Sequence, residues 1–340
     1  VFAVPQLVFA LILPYGPWVP CGPSRARSAA VKPVFLWSVV GLILGVALAL
    51  SATGAPSTTT PAAPTVAIAV ESKNPWTHLN LNNRSDSFQF AIVTDRTGGR
   101  RPGVFTTAVD KLNLLQPEFV LSVGDLIEGY NEDKGMWALE WSEFEANTKR
   151  LEMPFFYVPG NHDLSNPGML ANWQRKFGRT WYDFVYQDTL FLALNSEDPP
   201  ASKPFAFGPE QRAWVRETLA KHKGVRWTFV FMHKPTWLVS DEEQKKSGWS
   251  DIEAALLEGD RKYTVFAGHV HQYARFDRHG RDYIMLATTG GASKLRGKEA
   301  GEFDHFTWVT MKGNTPVIAN LLLDGIEHKS VRTLKVAPKE

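Results

Sequence analysis

Phe88-Gln89-Phe90-Ala91-Ile92-Val93-Thr94 runs directly into Asp95, and Phe119-Val120-Leu121-Ser122-Val123 runs into Gly124-Asp125. Short apolar runs bounded by turn residues read as buried strands, and in both a carboxylate stands where the run stops. The pattern recurs further along. Phe155-Phe156-Tyr157-Val158 leads to Gly160-Asn161-His162-Asp163, Trp227–Met232 ends at His233, and Tyr263–Ala267 ends at Gly268-His269-Val270-His271. Between these runs lie stretches with helical spacing: 103–115 (Val104, Ala108, Leu112, Leu115), 136–150 (Trp137, Leu139, Trp141, Phe144) and 209–222 (Trp214, Val215, Leu219). Such spacing gives each one buried face, and strands alternating with helices predict an α/β protein. Residues 183–195, 273–289 and 306–324 read as hairpins, the last two turning at Arg278-His279-Gly280 and Lys312-Gly313-Asn314. The expected architecture is a pair of β-sheets packed face to face with helices outside.

Composition sets the outer limits. The chain has 340 residues, of which 44% are hydrophobic, enough for a sizeable core in one domain or two. A net charge of +2 lacks the basic excess that marks a nucleic-acid binder. The single cysteine, Cys21, excludes an internal disulfide and any cysteine-based metal site. Residues 1–50 read as an N-terminal extension followed by a signal peptide or membrane anchor. Pro33–Leu50 is almost unbroken apolar sequence, with Lys32, Arg27 and Arg25 before it and Ala47-Leu48-Ala49 as a small-residue cleavage site. The chain begins with Val1 and has no methionine before Met136, so Val31 is the expected translation start. Residues 51–75, rich in Ala, Thr and Pro, read as a linker, and 76–340 as the folded domain. An exported protein, periplasmic or extracellular, is expected, with membrane contact only through an N-terminal anchor.

The chemistry-bearing side chains at the run ends are Asp95, Asp125, Asn161, His233, His269 and His271, with His162 and Asp163 beside them. Ligands at the carboxyl ends of adjacent strands converge on one crevice. Two Asp, one Asn and three His form a mixed nitrogen and oxygen shell, which suits zinc, manganese or iron better than calcium or magnesium. A carboxylate shared by two metals holds them about 3.5–4 Å apart. Each element alone has a plainer reading: Asp95 as a helix cap, Gly124-Asp125 and Gly160–Asp163 as turns, His233 as a core histidine. Their joint occurrence in this order outweighs those readings.

In these motifs the chain resembles the calcineurin-like metallophosphoesterases, a group that includes the purple acid phosphatases. The resemblance covers residues 88–291 and rests on Gly124-Asp125, Gly160-Asn161-His162-Asp163, His233 and Gly268-His269-Val270-His271. It implies a four-layer α-β-β-α sandwich with two packed mixed β-sheets. It also implies hydrolysis of a phosphate mono- or diester, a small-molecule substrate, by a two-metal centre that activates water. By this resemblance Asp125 bridges the metals, Asn161, His233 and His269 complete one site, and Asp95 and His271 hold the other. His162 would protonate or stabilise the leaving oxygen, and Asp163 would orient it.

The first motif departs from the family pattern. Many members have Asp-x-His, whereas here the residues are Asp95-Arg96-Thr97, and Glu128 stands where purple acid phosphatases carry a tyrosine. Water, Thr97 or Glu128 is left to fill that position. An alternative reading is therefore a non-catalytic envelope binding protein with a degraded first metal site, and a nuclease is a third. Arg96, with Arg100 and Arg101 in a glycine-containing loop, is a candidate for substrate contact. His305 is a weaker candidate for the pocket. Residues 238–249 interrupt the pattern and read as an exposed loop beside the site.

Overall fold

The computed structural model describes residues 85–326 without interruption, and residues 72, 77, 79 and 82 before them. All lie in one compact unit, Thr60–Glu340. The signal, anchor and start-site readings fall outside the described residues, as does most of the linker. Among the described residues, no helix is long and apolar enough to cross a membrane.

The first half of the chain alternates strictly: β1 (Phe88–Val93), α1 (Val104–Leu115), β2 (Val120–Ser122), α2 (Lys134–Thr148), β3 (Phe155–Phe156) and α3 (Pro167–Phe177). The second half continues with β4 (Tyr182–Tyr186), β5 (Thr189–Ala193), α4 (Pro209–Lys221), β6 (Trp227–Phe231), α5 (Asp241–Ser247) and α6 (Trp249–Leu257). It closes with β7 (Tyr263–Ala267), β8 (Ala274–Arg278), β9 (Arg281–Met285), β10 (His305–Lys312) and β11 (Thr315–Leu322). A five-stranded sheet has the order β11-β10-β1-β2-β3, and a six-stranded sheet the order β4-β5-β6-β7-β9-β8. Both are mixed. β1, β2 and β3 are parallel with β10 antiparallel to β1, and β5, β6, β7 and β9 are parallel with β4 and β8 antiparallel at the edges.

Successive residues of a strand point to opposite faces, and here both faces are buried. Phe88, Phe90 and Ile92 of β1 join Phe191, Phe229, Phe231 and Phe266 in a core between the sheets. Ala91 and Val93 face the other way, onto α1, α2 and α3. In the second sheet Val230 and Met232 face outward with Leu190 and Leu192, onto α4 and α6. Three apolar interfaces between four layers make the α-β-β-α sandwich that the resemblance implies. The middle one is largely aromatic. Phe90 meets Phe119 at 5.4 Å, Phe191 at 5.2 Å and Phe229 at 5.1 Å between ring centroids.

Two local expectations are corrected. Residues 238–249 are not an open loop, because they contain α5. Ser240 and Glu243 form a reciprocal capping box that starts it, Glu243 N–H donating to Ser240 Oγ and Ser240 N–H to Glu243 Oε2. Leu139 is 62% exposed rather than buried. Two positions on from Trp137 carry it about 200° around the helix, away from the face made by Trp137, Trp141 and Phe144. Helix α3 has no counterpart in the sequence reading. Asn166 caps it, accepting from Met169 N–H, and Pro167 opens it.

Truncating Phe90 to Ala should cost about 3–5 kcal/mol in urea unfolding, as for large aromatic residues in packed cores. Leu139→Ala should shift stability by less than about 0.5 kcal/mol. Equal losses would mean that the aromatic layer does not carry the sandwich.

Candidate metal centre

The side chains singled out at run ends lie after β1, β2, β3, β6 and β7, so both sheets present their carboxyl ends to one rim. Two sets of potential ligand atoms assemble there, each within 4.8 Å: Asp125 with His233 and His269, and Asp95 with Asp125 and His271. Asp125 belongs to both. Its Oδ2 lies 3.0 Å from His233 Nε2, and Asp95 Oδ1 lies 3.3 Å from His271 Nε2. Asp95 also accepts from His269 N–H at 2.9 Å. That approach requires Gly268, whose place a Cβ could take only 2.2 Å from Asp95 Oδ2.

Outer contacts fix the histidines. His233 Nδ1 lies 2.9 Å from the Val123 carbonyl, and His271 Nδ1 lies 2.7 Å from that of Ala292. A carbonyl only accepts, so each Nδ1 carries the hydrogen and each Nε2 is left to the carboxylates, the arrangement usual for metal-binding imidazoles. His162 Nδ1 likewise donates to the Glu128 carbonyl, at 2.6 Å. Its Nε2 stands 4.0 Å from Asp125 Oδ2.

Three observations fit cations in this cradle. Two buried carboxylates without a basic side chain other than imidazole call for countercharge. His269 Nδ1 meets His233 Nε2 at 3.2 Å, where two lone pairs need a proton or a metal between them. Asn161 Oδ1 is buried with no hydrogen-bond partner, a carbonyl oxygen left over for a ligand role. The protonation pattern shows the same demand. Burial works against charge on His233, but Asp125 wins and raises it to about 9. Burial and the neighbouring His233 depress His269 to about 4. Burial would raise the Asp125 carboxyl, yet His233 and His162 hold it well below the ordinary range.

Asp163 does something other than orient His162. It accepts four backbone N–H groups, from Asp125, Leu126, Ile127 and Gly160, at 2.8–3.2 Å. The carboxylate therefore ties the β2 loop to the β3 loop, and the Glu128 carbonyl orients the His162 ring. Burial and then the Asp125 charge push Asp163 up to about 7, against these hydrogen bonds.

Glu128 belongs to neither ligand set. Its carboxylate accepts from Gly99 N–H and Arg100 N–H; burial opposes its charge, but the nearby Thr97 side chain and these backbone bonds hold it below its ordinary range. Thr97 is fully buried. The first set thus has Asp95, Asp125 and His271 as its titratable donors.

Arg96 departs from its expected role in substrate contact. It is 3% exposed and turned into the helical layer, with Nη1 on the Leu126 carbonyl at 2.8 Å and Nη2 on Glu143 at 2.9 Å. Its guanidinium lies over Phe105 and Phe144. Arg100 pairs with Glu143, and Arg101 with Asp304 and the Gly291 carbonyl, so these two brace the rim. His305 is a core histidine whose Nε2 accepts from Ala287 N–H. Tyr130 is a neighbour of the site that sequence reading missed. Its hydroxyl accepts from Asn161 Nδ2, a link between two loops that no spacing reveals.

Two mixed sheets whose strand-end loops carry paired histidine–carboxylate groups define the architecture of a metallophosphoesterase. Residues 85–273 match the calcineurin-like phosphoesterase family, and the chain belongs to it. It is 30% identical over 198 residues to serine/threonine-protein phosphatase CPPED1 of Bos taurus, covering 54% of this chain and 62% of that one. The chain therefore spans less than two thirds of that curated relative. Among solved structures, purple acid phosphatase PPD1 from yellow lupin aligns with a TM-score of 0.55 at 15% identity, over 71% of this chain and 52% of that one. A dimetal phosphatase from Danio rerio aligns at 0.52 and 15%, over 69% and 96%. At such identities the likeness is one of fold.

Arg96→Ala should lower stability by about 2–3 kcal/mol, the loss of charge-assisted buried hydrogen bonds, with KM changed less than about twofold. A large rise in KM at unchanged stability would return Arg96 to the substrate.

Proposed function

We propose that this protein hydrolyses a phosphate ester with the help of two metal ions held by Asp95, Asp125, Asn161, His233, His269 and His271. The observation that carries the reading is the buried Asp125 carboxylate, shared by two converging ligand sets. A pair of cations there supplies charge neutralisation for phosphate oxygens and makes water a stronger acid. The mixed shell favours manganese, iron or zinc.

The chain's own groups do the rest. His162, with Nδ1–H fixed on the Glu128 carbonyl, turns Nε2 toward the site, where the imidazolium form, protonated on both nitrogens, would give its Nε2 proton to the leaving oxygen. Asp163 keeps the His162 loop in register with Asp125 through backbone N–H groups. Support for a phosphoester substrate comes from the family and from the bovine relative, whose name describes a protein phosphatase. Export of the protein is read from Pro33–Leu50 alone, and cell fractionation tests it.

A binding protein without turnover is the second reading, favoured by one observation. Thr97 is buried in the first motif where many family members have a histidine, and Glu128 is occupied with loop N–H groups.

Metal analysis paired with hydrolysis of an aryl phosphate monoester and diester separates these readings. About two metals per chain and turnover, both lost in Asp125→Ala, are expected; metal without turnover on any ester selects the binding protein. His162→Ala should reduce kcat by about 10²–10⁴-fold and leave metal content unchanged. Loss of metal in that variant would make His162 a ligand instead.

A further inference from the structure

Tyr130 is 62% exposed, yet its backbone and side chain are both tied to their surroundings. Its backbone is left-handed, with φ 52°, a conformation that a bulky side chain rarely adopts. Strain of this kind persists where the surroundings over-determine it, and they do so here. Tyr130 N–H donates to Ser165 Oγ at 3.1 Å, just before α3. The preceding Gly129 donates to Glu140 Oε2 of α2 at 3.0 Å. A Cβ at Gly129 would lie 1.8 Å from the His162 carbonyl, so the chain passes directly against that residue. Next along, the Asn131 carbonyl takes Trp137 Nε1–H from α2 and Asn166 Nδ2–H from the start of α3.

The side chain so placed touches two members of the site. Its hydroxyl accepts from Asn161 Nδ2 at 3.0 Å. Its ring meets the His162 imidazole edge-on at 4.7 Å between centroids. The amide of Asn161 has one oxygen and one nitrogen, and only the oxygen can face a cation. Because the phenol holds the nitrogen, Oδ1 is left buried with no partner.

We propose that Tyr130 is a positioning residue of the metal centre: its hydroxyl turns Asn161 Oδ1 toward the cation site, and its ring braces His162. This rests on the phosphoesterase reading above. The two contacts are separable, since Phe keeps the ring and loses the hydroxyl, while Ala loses both. Exposure of the side chain means that neither change opens a core cavity.

The test is manganese(II) binding to the full chain by calorimetry and chelator competition, with aryl phosphate turnover measured at saturating manganese. Tyr130→Phe should weaken at least one manganese-binding event by about 10-fold or more, as outer contacts to metal ligands do, and keep kcat within about threefold. Tyr130→Ala should show the same loss of affinity and, in addition, a fall in kcat of at least about 10-fold. On an Asn161→Ala background, Tyr130→Phe should have no further effect on affinity, the signature of one shared interaction. Unchanged affinity in Tyr130→Phe, or full additivity with Asn161→Ala, overturns the proposal while leaving the phosphoesterase reading in place. A wild-type chain that binds no manganese, zinc or iron removes that reading and this proposal with it.

Discussion

The rest of the site depends on the burial of one carboxylate. Asp125 is almost wholly withdrawn from water, and its polar groups are engaged with three different loops. Its carbonyl accepts from Arg96 and Thr97 N–H after β1, its N–H donates to Asp163 after β3, and Oδ1 accepts from His162 N–H. Oδ2 faces His233 after β6. A buried charge without a partner is costly enough that it would neutralise or unfold its surroundings. The requirement to satisfy this one therefore draws both sheets' loops together. Left-handed backbone at Asp125, His269 and His271, with φ of 57°, 74° and 58°, is the local strain that the convergence imposes.

The scaffold explains which loops can bear that strain. β1, β2, β6 and β7 are interior strands, each fixed by neighbours on both sides. β3 is a two-residue edge, too short to hold the Gly160–Asp163 turn by itself. The four N–H bonds to Asp163 and the Tyr130–Asn161 contact supply the support that the strand does not. Side-chain hydrogen bonds thus stand in for sheet pairing at the edge of the sandwich, and they are concentrated on the loop carrying His162.

Much of this was legible in the sequence. Short apolar runs ending in Asp or His mark strand ends, because a strand buried on both faces is near-continuously apolar and takes charged residues only where it leaves the sheet. That pattern is local, and it located the loops that meet at the rim. Directions of long side chains were not legible: Arg96 adjoins Asp95 in the chain, yet its guanidinium runs back into the helical layer toward Glu143. The partner of the His162 ring was also hidden. The family resemblance gave that part to Asp163, whereas a backbone carbonyl, which leaves no mark in a sequence, does the orienting. Tyr130 was missed for the same reason, since its link to Asn161 spans two loops. α5 could have been found from Ser240 and Glu243, a capping pair overlooked because the segment is charged.

The central claim is that Asp125 stands between two cations. Anomalous difference maps from crystals of the protein grown with manganese test it most directly. Two peaks are predicted, one against His233, His269 and Asn161 and the other against Asp95 and His271, with Asp125 touching both. A single peak, or peaks that leave Asp125 without a metal contact, would contradict the account.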